Sequence, residues 1–405
     1  MRKLTGIILV AAMIIGLTAC GEEKRQIDEN TVILKLALRE GTYADVIKEC
    51  VGAFEEKNNV FCEVEELSED DLHAKVADGA ADRESSYDIC MVDSSWMAEC
   101  TAKGTLSNLS DMGYELDDDI IPATKEICYY QDDVYLVPYF GNVTGLLYSR
   151  ALVGASDYDA DSIDSLQDIL KICKESQARG NLGFMYRGDT ENNIVVDFLP
   201  ILLSYGGWVV DEENRPTVDT EEFRSAMEYY LELIATGDDA EKDDLISAIA
   251  NDAAAMGIGW PGWYTVTEKS SAAYDALTGK ADADSIAYNA NVYGVWTIGI
   301  PQNSTKKEMA LKLMEYLMDA NVQKSTVELG GVPCRYSSLK DEEILEKYPQ
   351  YEQVCQALEG GVYRPVMENW SDFYTILGEE MRSILNEDKS IEQGLSDAQK
   401  RLEQL

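Results

Sequence analysis

The stretch TVILKLALREGTYADVIKECVGAF, residues 31–54, combines the two patterns that define a β/α unit. Its first eight residues form an apolar run rich in β-branched side chains, which is typical of a strand. After the loop REGTY, residues 39–43, apolar side chains recur at helical spacing, at Ile47, Cys50, Val51 and Phe54. The stretch therefore predicts a strand that leads through a short loop into an amphipathic helix.

The same alternation continues along the chain. VFCEVEEL (residues 60–67) and YDICMVD (residues 87–93) predict two further strands, separated by the helical segment EDDLHAKVADGA at residues 69–80. Strands that alternate with helices predict an α/β fold with parallel strands. Ligands of such folds collect at the carboxyl ends of the strands, so the loops at residues 39–43 and 93–96 are candidate binding loops.

The second half of the chain is organised differently. An extended stretch at residues 132–152, interrupted by Pro138 and Gly141, precedes a region with mostly helical apolar spacing. A strand returns as GVWTIGI at residues 294–300, and the turn GGVPCR at residues 330–335 precedes a helical tail. With 405 residues, of which 45% are hydrophobic, the chain can build two lobes with separate cores.

The first 20 residues, MRKLTGIILVAAMIIGLTAC, have the layout of an export signal: two cations, an apolar run, then small residues before Cys20. The end of this segment resembles the bacterial lipobox, which predicts cleavage before Cys20 and lipid attachment to its thiol. An ordinary secretory cleavage site is the alternative. Residues 21–30 are polar and predict a flexible tether, and no later run of 18 apolar residues predicts a membrane span.

The formal net charge of −41 excludes nucleic acid as a partner, because 34 Lys and Arg residues against 75 Asp and Glu residues form no basic patch. Nine cysteines are scattered without a CxxC pair, so we expect mostly free, buried thiols and no metal site. The single histidine, His73, is interpreted as part of a solvated helix face.

Enzyme signatures are scarce. With a single histidine, the chain lacks the residues for most catalytic triads and for histidine-rich zinc motifs. No phosphate loop or dinucleotide-binding turn occurs, so we predict no cofactor and no catalysis. Two opposed carboxylates could still form a glycoside hydrolase site, since acidic residues are abundant. That alternative stays open at this point.

Beyond these patterns, several motifs in a fixed order resemble the extracellular solute-binding proteins of ABC importers, specifically the sugar-binding group with maltose-type receptors. The first motif is the lipobox. The others, in chain order, are YDICMVDSSWMAECTAKGTLSNL, YLVPYFGNVTGLLYSRAL, FLPILLSYGGWVVDEENRPTVDTEEF, AAMGIGWPGWY, YGVWTIGIPQNSTKKEMALKLMEYL and GGVPCR. The resemblance implies a two-lobed α/β fold of the periplasmic-binding-protein type II class. Crossover strands would join the lobes, and the ligand would lie in the cleft between them.

On this basis the N-terminal lobe comprises residues 31–140 and 294–333, and the C-terminal lobe comprises residues 141–293 and 334–405. The crossings are expected near residues 139–145, 294–298 and 332–335. The resemblance further implies a monomer that binds a carbohydrate and delivers it to the permease subunits. Its lipid would hold it at the outer face of the cytoplasmic membrane, which faces the periplasm where an outer membrane exists. A sensory or adhesive lipoprotein with the same body is the alternative.

Sugars present apolar C–H faces and a rim of hydroxyls, so a receptor needs flat aromatic surfaces beside converging polar groups. By the resemblance, Trp260 and Trp263 in GWPGW are the cleft aromatics of one lobe, Trp96 faces them from the other, and Trp370 closes the wall. Packing in the core is the alternative for each. The implied polar ligand-binding residues are Arg39, Tyr43, Asp93, Asn142, Arg335 and Asn193, with Asn192 as an alternative to Asn193 and a helix cap as an alternative for Asp93.

Overall fold

The computed structural model describes residues 29–78, 87–158, 163–266, 272–275, 286, 288 and 291–405. The predicted signal segment, Cys20 and most of the predicted tether lie outside the described residues. In the described part of the chain, no helix is both long enough and apolar enough to cross a membrane.

The first lobe is built on a five-stranded sheet. The strands are β1 Val32–Arg39, β2 Val60–Leu67, β3 Ile89–Asp93, β6 Leu136–Phe140 and β11 Trp296–Gly299, with a separate hairpin of β4 Tyr129–Tyr130 and β5 Asp133–Val134. The order in the sheet is β2-β1-β3-β11-β6. Strand β1 pairs in parallel with β2 and β3, whereas β11 runs antiparallel to β3 and β6.

Helices cover this sheet and enclose one hydrophobic core. The predicted face of the first helix is confirmed, because Ile47, Val51 and Phe54 are buried and Cys50 is half-buried. The helices of the first lobe are α1 Thr42–Asn58, α2 Glu69–Asp78, α3 Met97–Ala102, α4 Pro122–Glu126, α11 Lys307–Leu317, α12 Ala320–Thr326, α13 Tyr336–Leu339, α14 Glu342–Lys347 and α15 Gln350–Gly360.

The second lobe has a four-stranded sheet and its own core. The strands are β7 Gly145–Ser149, β8 Leu182–Met185, β9 Ala254–Gly259 and β10 Ala272–Asp275. Their order in the sheet is β10-β7-β9-β8. The helices are α5 Arg150–Gly154, α6 Leu166–Ala178, α7 Glu191–Ser204, α8 Glu221–Ile234, α9 Lys242–Ala250, α10 Pro261–Val266, α16 Trp370–Leu385 and α17 Ile391–Leu402.

In the described residues, three segments carry the chain between the lobes and lie side by side. The first runs between Phe140 and Gly145, where the chain leaves one sheet and enters the other. The amide of Thr144 donates to the carbonyl of Val292 (2.9 Å), and the amide of Tyr293 donates to the carbonyl of Val362 (3.0 Å). These backbone hydrogen bonds join all three crossings into a common hinge.

The third crossing lies later than expected. The resemblance implies that residues 334–405 belong to the C-terminal lobe, but Cys334, Tyr351 and Leu358 are buried in the core of the first lobe. The carbonyl of Cys334 also accepts a hydrogen bond from the amide of Ile121 (2.9 Å). The chain therefore returns to the second lobe only between α15 and α16, whose Trp370 is buried in the second core.

The lobes also touch directly. Gly262 at the start of α10 lies against the first-lobe turn at Gly330, and a Cβ atom at Gly262 would be 2.9 Å from the carbonyl oxygen of Gly330. Two backbones therefore meet here with no room for a side chain. Elsewhere, the eight cysteines from Cys50 to Cys355 are free thiols, and all but Cys50 are buried.

Candidate ligand-binding cleft

A cavity of about 460 Å³ lies between the lobes. From the first lobe, the loops that follow β1, β2 and β3 reach it with residues such as Tyr43, Glu69 and Asp93. From the second lobe, the loops that follow β8 and β9 contribute Arg187 and Trp260. Every one of these loops begins at the carboxyl end of a strand, which is where α/β folds gather their ligands.

Aromatic rings form part of the cavity wall on both sides. Trp260 and Trp263 come from the second lobe and Trp296 from the first. The ring of Trp260 lies directly on the hinge at Gly294, where a Cβ atom would be 2.5 Å from Cη2 of the indole. The hinge backbone thus fixes the position of this ring.

Trp263 has two roles in the structure. It lines the cavity, yet only 7% of its surface is exposed and it packs with Leu147 and Met185 in a small core cluster of the second lobe. Two cations lie beside its ring: the guanidinium carbon of Arg187 is 5.4 Å and Nζ of Lys242 is 5.9 Å from the ring centroid. Such distances allow cation–π attraction.

Tyr43 and Asn142 form a pair on the first-lobe side. Nδ2 of Asn142 donates to the hydroxyl of Tyr43 (2.8 Å). The tyrosine ring packs 4.7 Å from Phe140 and 5.5 Å from Trp296, measured between ring centroids. Burial among these rings raises the pKa of Tyr43 to about 12, so its hydroxyl remains neutral at physiological pH.

Asp93 fits both interpretations of its position in the sequence, a cavity residue and a helix cap. It lines the cavity, but its Oδ1 also accepts from the amide of Ser95 (2.9 Å) and so caps the short 3₁₀ helix Ser94–Trp96. Nη2 of Arg364, a residue of the third crossing, donates to both oxygens of the Asp93 carboxylate. Most of the hydrogen-bonding capacity of Asp93 is therefore used within the protein.

The second lobe presents a network centred on Arg187. Nε of Arg187 donates to Oδ2 of Asp197 (3.1 Å) and Nη1 donates to Oδ1 of Asn193 (2.8 Å). Nδ2 of Asn193 in turn donates to Asp189 (2.9 Å). The buried ion pair with Asp197 holds the guanidinium against Trp263, so this network positions both the ring and the Asn193 amide.

One hydrogen bond spans the cleft at the cavity. Nδ2 of Asn192, on α7 of the second lobe, donates to Oε1 of Glu69, at the start of α2 in the first lobe (2.9 Å). Removal of water raises the pKa of Glu69, and the negative charge of Asp93 adds to this effect. The lobes are therefore close enough for residues of both to reach one ligand.

Of the predicted binding residues, Arg39, Tyr43, Asp93, Asn142, Asn193, Trp260 and Trp263 line the cavity. Trp96 does not, because it is 2% exposed and packs in the first core, with its ring centroid 5.5 Å from that of Trp296. Trp370 is likewise buried, in the second core, where it stacks on Phe373. These two tryptophans therefore pack in the hydrophobic cores, which is the alternative to ligand contact.

Arg335 also lies away from the cavity. Its side chain is buried between residues of the first lobe, where Nε donates to Asp119 (2.9 Å), Nη1 donates to the carbonyl of Met318 (3.0 Å) and Nη2 pairs with Asp117. Its guanidinium is fully committed to these partners, which explains why the predicted contact with ligand does not form.

His73 differs from its interpretation as a solvated side chain. It is partly buried where the lobes meet, with Nε2 2.7 Å from Oε2 of Glu99 and 3.2 Å from Oγ of Ser371 on α16. Its ring packs 4.7 Å from that of Trp96, measured between centroids. In the described part of the chain, no group of three His, Cys, Asp or Glu residues is placed to hold a metal ion.

Sequence reasoning missed several lining residues, notably Glu69, Arg187, Lys242, Trp296, Arg364 and Tyr374. Glu69 follows a correctly predicted strand, so the carboxyl-end rule could have found it. Trp296 stands inside the quoted motif GVWTIGI, where it reads as an ordinary strand residue. Lys242 and Arg364 carry no local pattern that distinguishes them.

A ligand-sized cavity between two α/β lobes, bordered by a three-segment hinge, is the architecture of a solute-binding protein. The chain belongs to the family of bacterial extracellular solute-binding proteins, whose family model matches residues 38–324. A curated relative, the probable amino-acid ABC transporter periplasmic-binding protein y4oP of Sinorhizobium fredii, is 23% identical over 277 residues. That alignment covers 66% of this chain and spans 63% of the relative's length.

Solved structures of similar proteins establish the fold. Maltose-bound MalE3 of T. maritima has a TM-score of 0.82 at 22% identity, with 92% of this chain and 99% of that chain covered. An ABC transporter solute-binding protein of Agrobacterium radiobacter K84 in complex with ribitol has a TM-score of 0.82 at 20% identity, with 94% and 100% covered. The GacH receptor of Streptomyces glaucescens, solved unliganded and with acarbose, has a TM-score of 0.81 at 18% identity, with 93% and 98% covered.

The family and these structures are those of binding proteins rather than enzymes. The glycoside hydrolase alternative therefore loses its support. The cavity is the candidate binding site, and we interpret its carboxylates as ligand or structural contacts.

Proposed function

We propose that this protein is a receptor that binds a carbohydrate in the cleft and delivers it to the permease subunits of an ABC importer. The observation that carries the proposal is the convergence of indole rings and polar side chains on one cavity between the lobes. Maltose, ribitol and acarbose in the matched structures support the same class of ligand.

The chemistry of the cavity suits a sugar. Trp260 is half-buried and offers a flat surface for the C–H face of a pyranose ring, while the more deeply buried Trp263 and Trp296 border the cavity beside it. The amide of Asn142 and the carboxylate of Glu69 offer donors and acceptors for hydroxyls, which cost about 1–3 kcal/mol each when buried without a partner. A cavity of about 460 Å³ has room for a mono- or disaccharide.

Transport would follow from lobe closure. A solute that contacts residues of both lobes, such as Tyr43 and Trp263, favours the closed arrangement over the open one. The three hydrogen-bonded crossings form the hinge about which the lobes rotate. The closed face would then dock on the permease.

We further propose that the mature protein begins at a lipidated Cys20 and is held at the outer face of the cytoplasmic membrane. Two acyl chains or more provide stable anchoring, whereas one gives only marginal binding. Mass spectrometry of the mature N-terminus tests this, since Cys20→Ala should release an unlipidated protein. Copurification of permease subunits with the anchored receptor would separate an importer component from a sensory or adhesive lipoprotein.

An amino acid is the second candidate ligand. The relative y4oP is named as a probable amino-acid transporter component. The cavity also contains side chains of both charges, such as Lys242 and Asp189, which a zwitterion could use.

A thermal-shift screen of the purified protein separates these candidates. Sugars and polyols are compared with amino acids and oligopeptides at equal concentrations. A ligand at 100 times its Kd should stabilise the protein by about 2.7 kcal/mol. Stabilisation by a sugar or polyol supports the proposal, whereas stabilisation by amino acids alone would replace it with the second candidate.

A further inference from the structure

Helix α2 presents one face to the second lobe. Glu69 and His73 are four residues apart on this helix, so their side chains lie on the same side, one turn from each other. Glu69 accepts from Nδ2 of Asn192 on α7 (2.9 Å), and Nε2 of His73 lies 3.2 Å from Oγ of Ser371 on α16. Two successive turns of α2 therefore contact the opposite lobe, one on α7 and the other on α16.

The two helices that α2 contacts are packed tightly together. Nε of Arg382 on α16 donates to Oε1 of Glu191 on α7 (3.0 Å). Gly378 brings the helix backbones close, since a Cβ atom there would be 2.6 Å from the carbonyl oxygen of Glu191. Helices α7 and α16 therefore form one surface of the second lobe, which α2 contacts at two points.

Glu99 of α3 completes the contact around His73. Its Oε1 accepts from Nζ of Lys103 (2.8 Å), and its Oε2 lies 2.7 Å from Nε2 of His73. A carboxylate only accepts, so Nε2 carries the proton and donates it to Glu99. The hydroxyl of Ser371 donates to the same Oε2 from the second lobe, over 3.5 Å. The first lobe thus holds the carboxylate in place through two partners of its own, and Ser371 adds a third from across the junction.

This junction lies outside the cavity. His73, Glu99 and Ser371 form no part of the cavity wall, whereas the neighbouring turns of the same helices do, with Glu69 on α2 and Tyr374 on α16. A substitution at Ser371 therefore changes the contact between the lobes without removing a side chain that faces the solute.

We propose that His73, Glu99 and Ser371 form a latch that holds the lobes together, with or without solute, and so sets the affinity for solute from outside the cavity. The inference rests on the proposed closure of the lobes about the hinge and names residues that favour the closed arrangement. Opening of the cleft separates Ser371 from Glu99. The apparent affinity for a solute that needs the closed form is reduced by the fraction of molecules that are closed, so the latch raises it.

Small-angle X-ray scattering of the ligand-free protein tests the latch, because opening of the cleft increases the radius of gyration. The measurement is made at about pH 8, above the range in which histidine ordinarily titrates. Ser371→Asp places a second carboxylate beside Glu99, and the two like charges repel. We expect a larger radius of gyration than that of the native protein, with Ser371→Ala between the two.

Ser383→Asp is the matched control. It adds the same charge to α16, at a hydroxyl that donates to the carbonyl of Glu379 within its own helix (3.0 Å). We expect this variant to scatter like the native protein.

A double variant separates the latch from a general effect on the fold. In Glu99→Gln with Ser371→Asp, the amide can donate to the new carboxylate, so the radius of gyration should return towards the native value. With maltose as the probe, calorimetry should show that the affinity of Ser371→Asp falls by the same factor as its closed fraction.

The outcomes distinguish the latch from the function on which it rests. A Ser371→Asp variant that scatters like the native protein, or an expansion that the double variant does not reverse, would overturn the latch. The scattering needs no solute, so a failure of maltose and other sugars to bind would overturn the proposed carbohydrate function alone. Circular dichroism and urea denaturation of each variant check that a larger radius of gyration does not reflect unfolding.

Discussion

Arg364 and Asp93 are 271 residues apart in sequence, yet Nη2 of Arg364 donates to both carboxylate oxygens of Asp93, at 2.6 and 2.8 Å. Nε of the same guanidinium donates to the carbonyl of Tyr293 (3.1 Å). The pair thus joins the third crossing to the second crossing and to the end of β3. It lies in the cavity wall and connects the hinge with the binding site.

Replacement of Arg364 by Met should destabilise the protein strongly, because it leaves the Asp93 carboxylate buried without its counter-charge. We expect a loss of about 3–5 kcal/mol in the free energy of unfolding. Urea denaturation measures this loss. The double variant Asp93→Asn with Arg364→Met should recover part of it, and a single variant as stable as the native protein would contradict the role assigned to the pair.

Gly294→Ala should weaken ligand binding through Trp260. The added methyl group would meet the indole at 2.5 Å, so the ring must move away from the hinge. We expect affinity for the ligand identified in the screen to fall about tenfold or more, as calorimetry can measure. Gly52→Ala is the matched control, since nothing lies within 4 Å of its Cβ position on α1, and it should bind normally. Equal affinity of both variants would show that the position of Trp260 does not matter.

Arg335→Met should reduce stability and leave affinity unchanged. The substitution removes hydrogen bonds to Asp119 and to the carbonyl of Met318, and this acceptor remains buried. We expect a loss of about 1–3 kcal/mol in the free energy of unfolding. Paired urea and calorimetry measurements check both parts, and a loss of affinity at full stability would return Arg335 to the binding site.

The sequence predicts the local elements well, because each depends on a short period. The apolar run at residues 31–38 and the apolar face of α1 are properties of neighbouring residues, and the structure confirms the strand and the helix that they predict. The position of the cavity follows from the same units, since the carboxyl ends of strands can be located from pattern alone.

Tertiary relations were harder to predict. Trp96 and Trp296 are both aromatic residues of the first lobe, and only the packed structure shows that the second lines the cavity while the first lies behind it. The amphipathic helices after Arg335 reveal a buried face but not the lobe against which it packs. The third crossing was therefore placed too early, and the partners of Arg335 across 216 residues could not be foreseen.

The contact between Gly262 and Gly330 has a consequence for ligand size. Main-chain atoms of the two lobes meet there, so a rearrangement of side chains cannot bring the lobes closer together at this point. A ligand too small to span the remaining gap cannot contact both lobes. Water then fills part of the cavity. If the lobes close on a solute as we propose, this backbone contact would set a lower limit on the length of a ligand that touches both lobes.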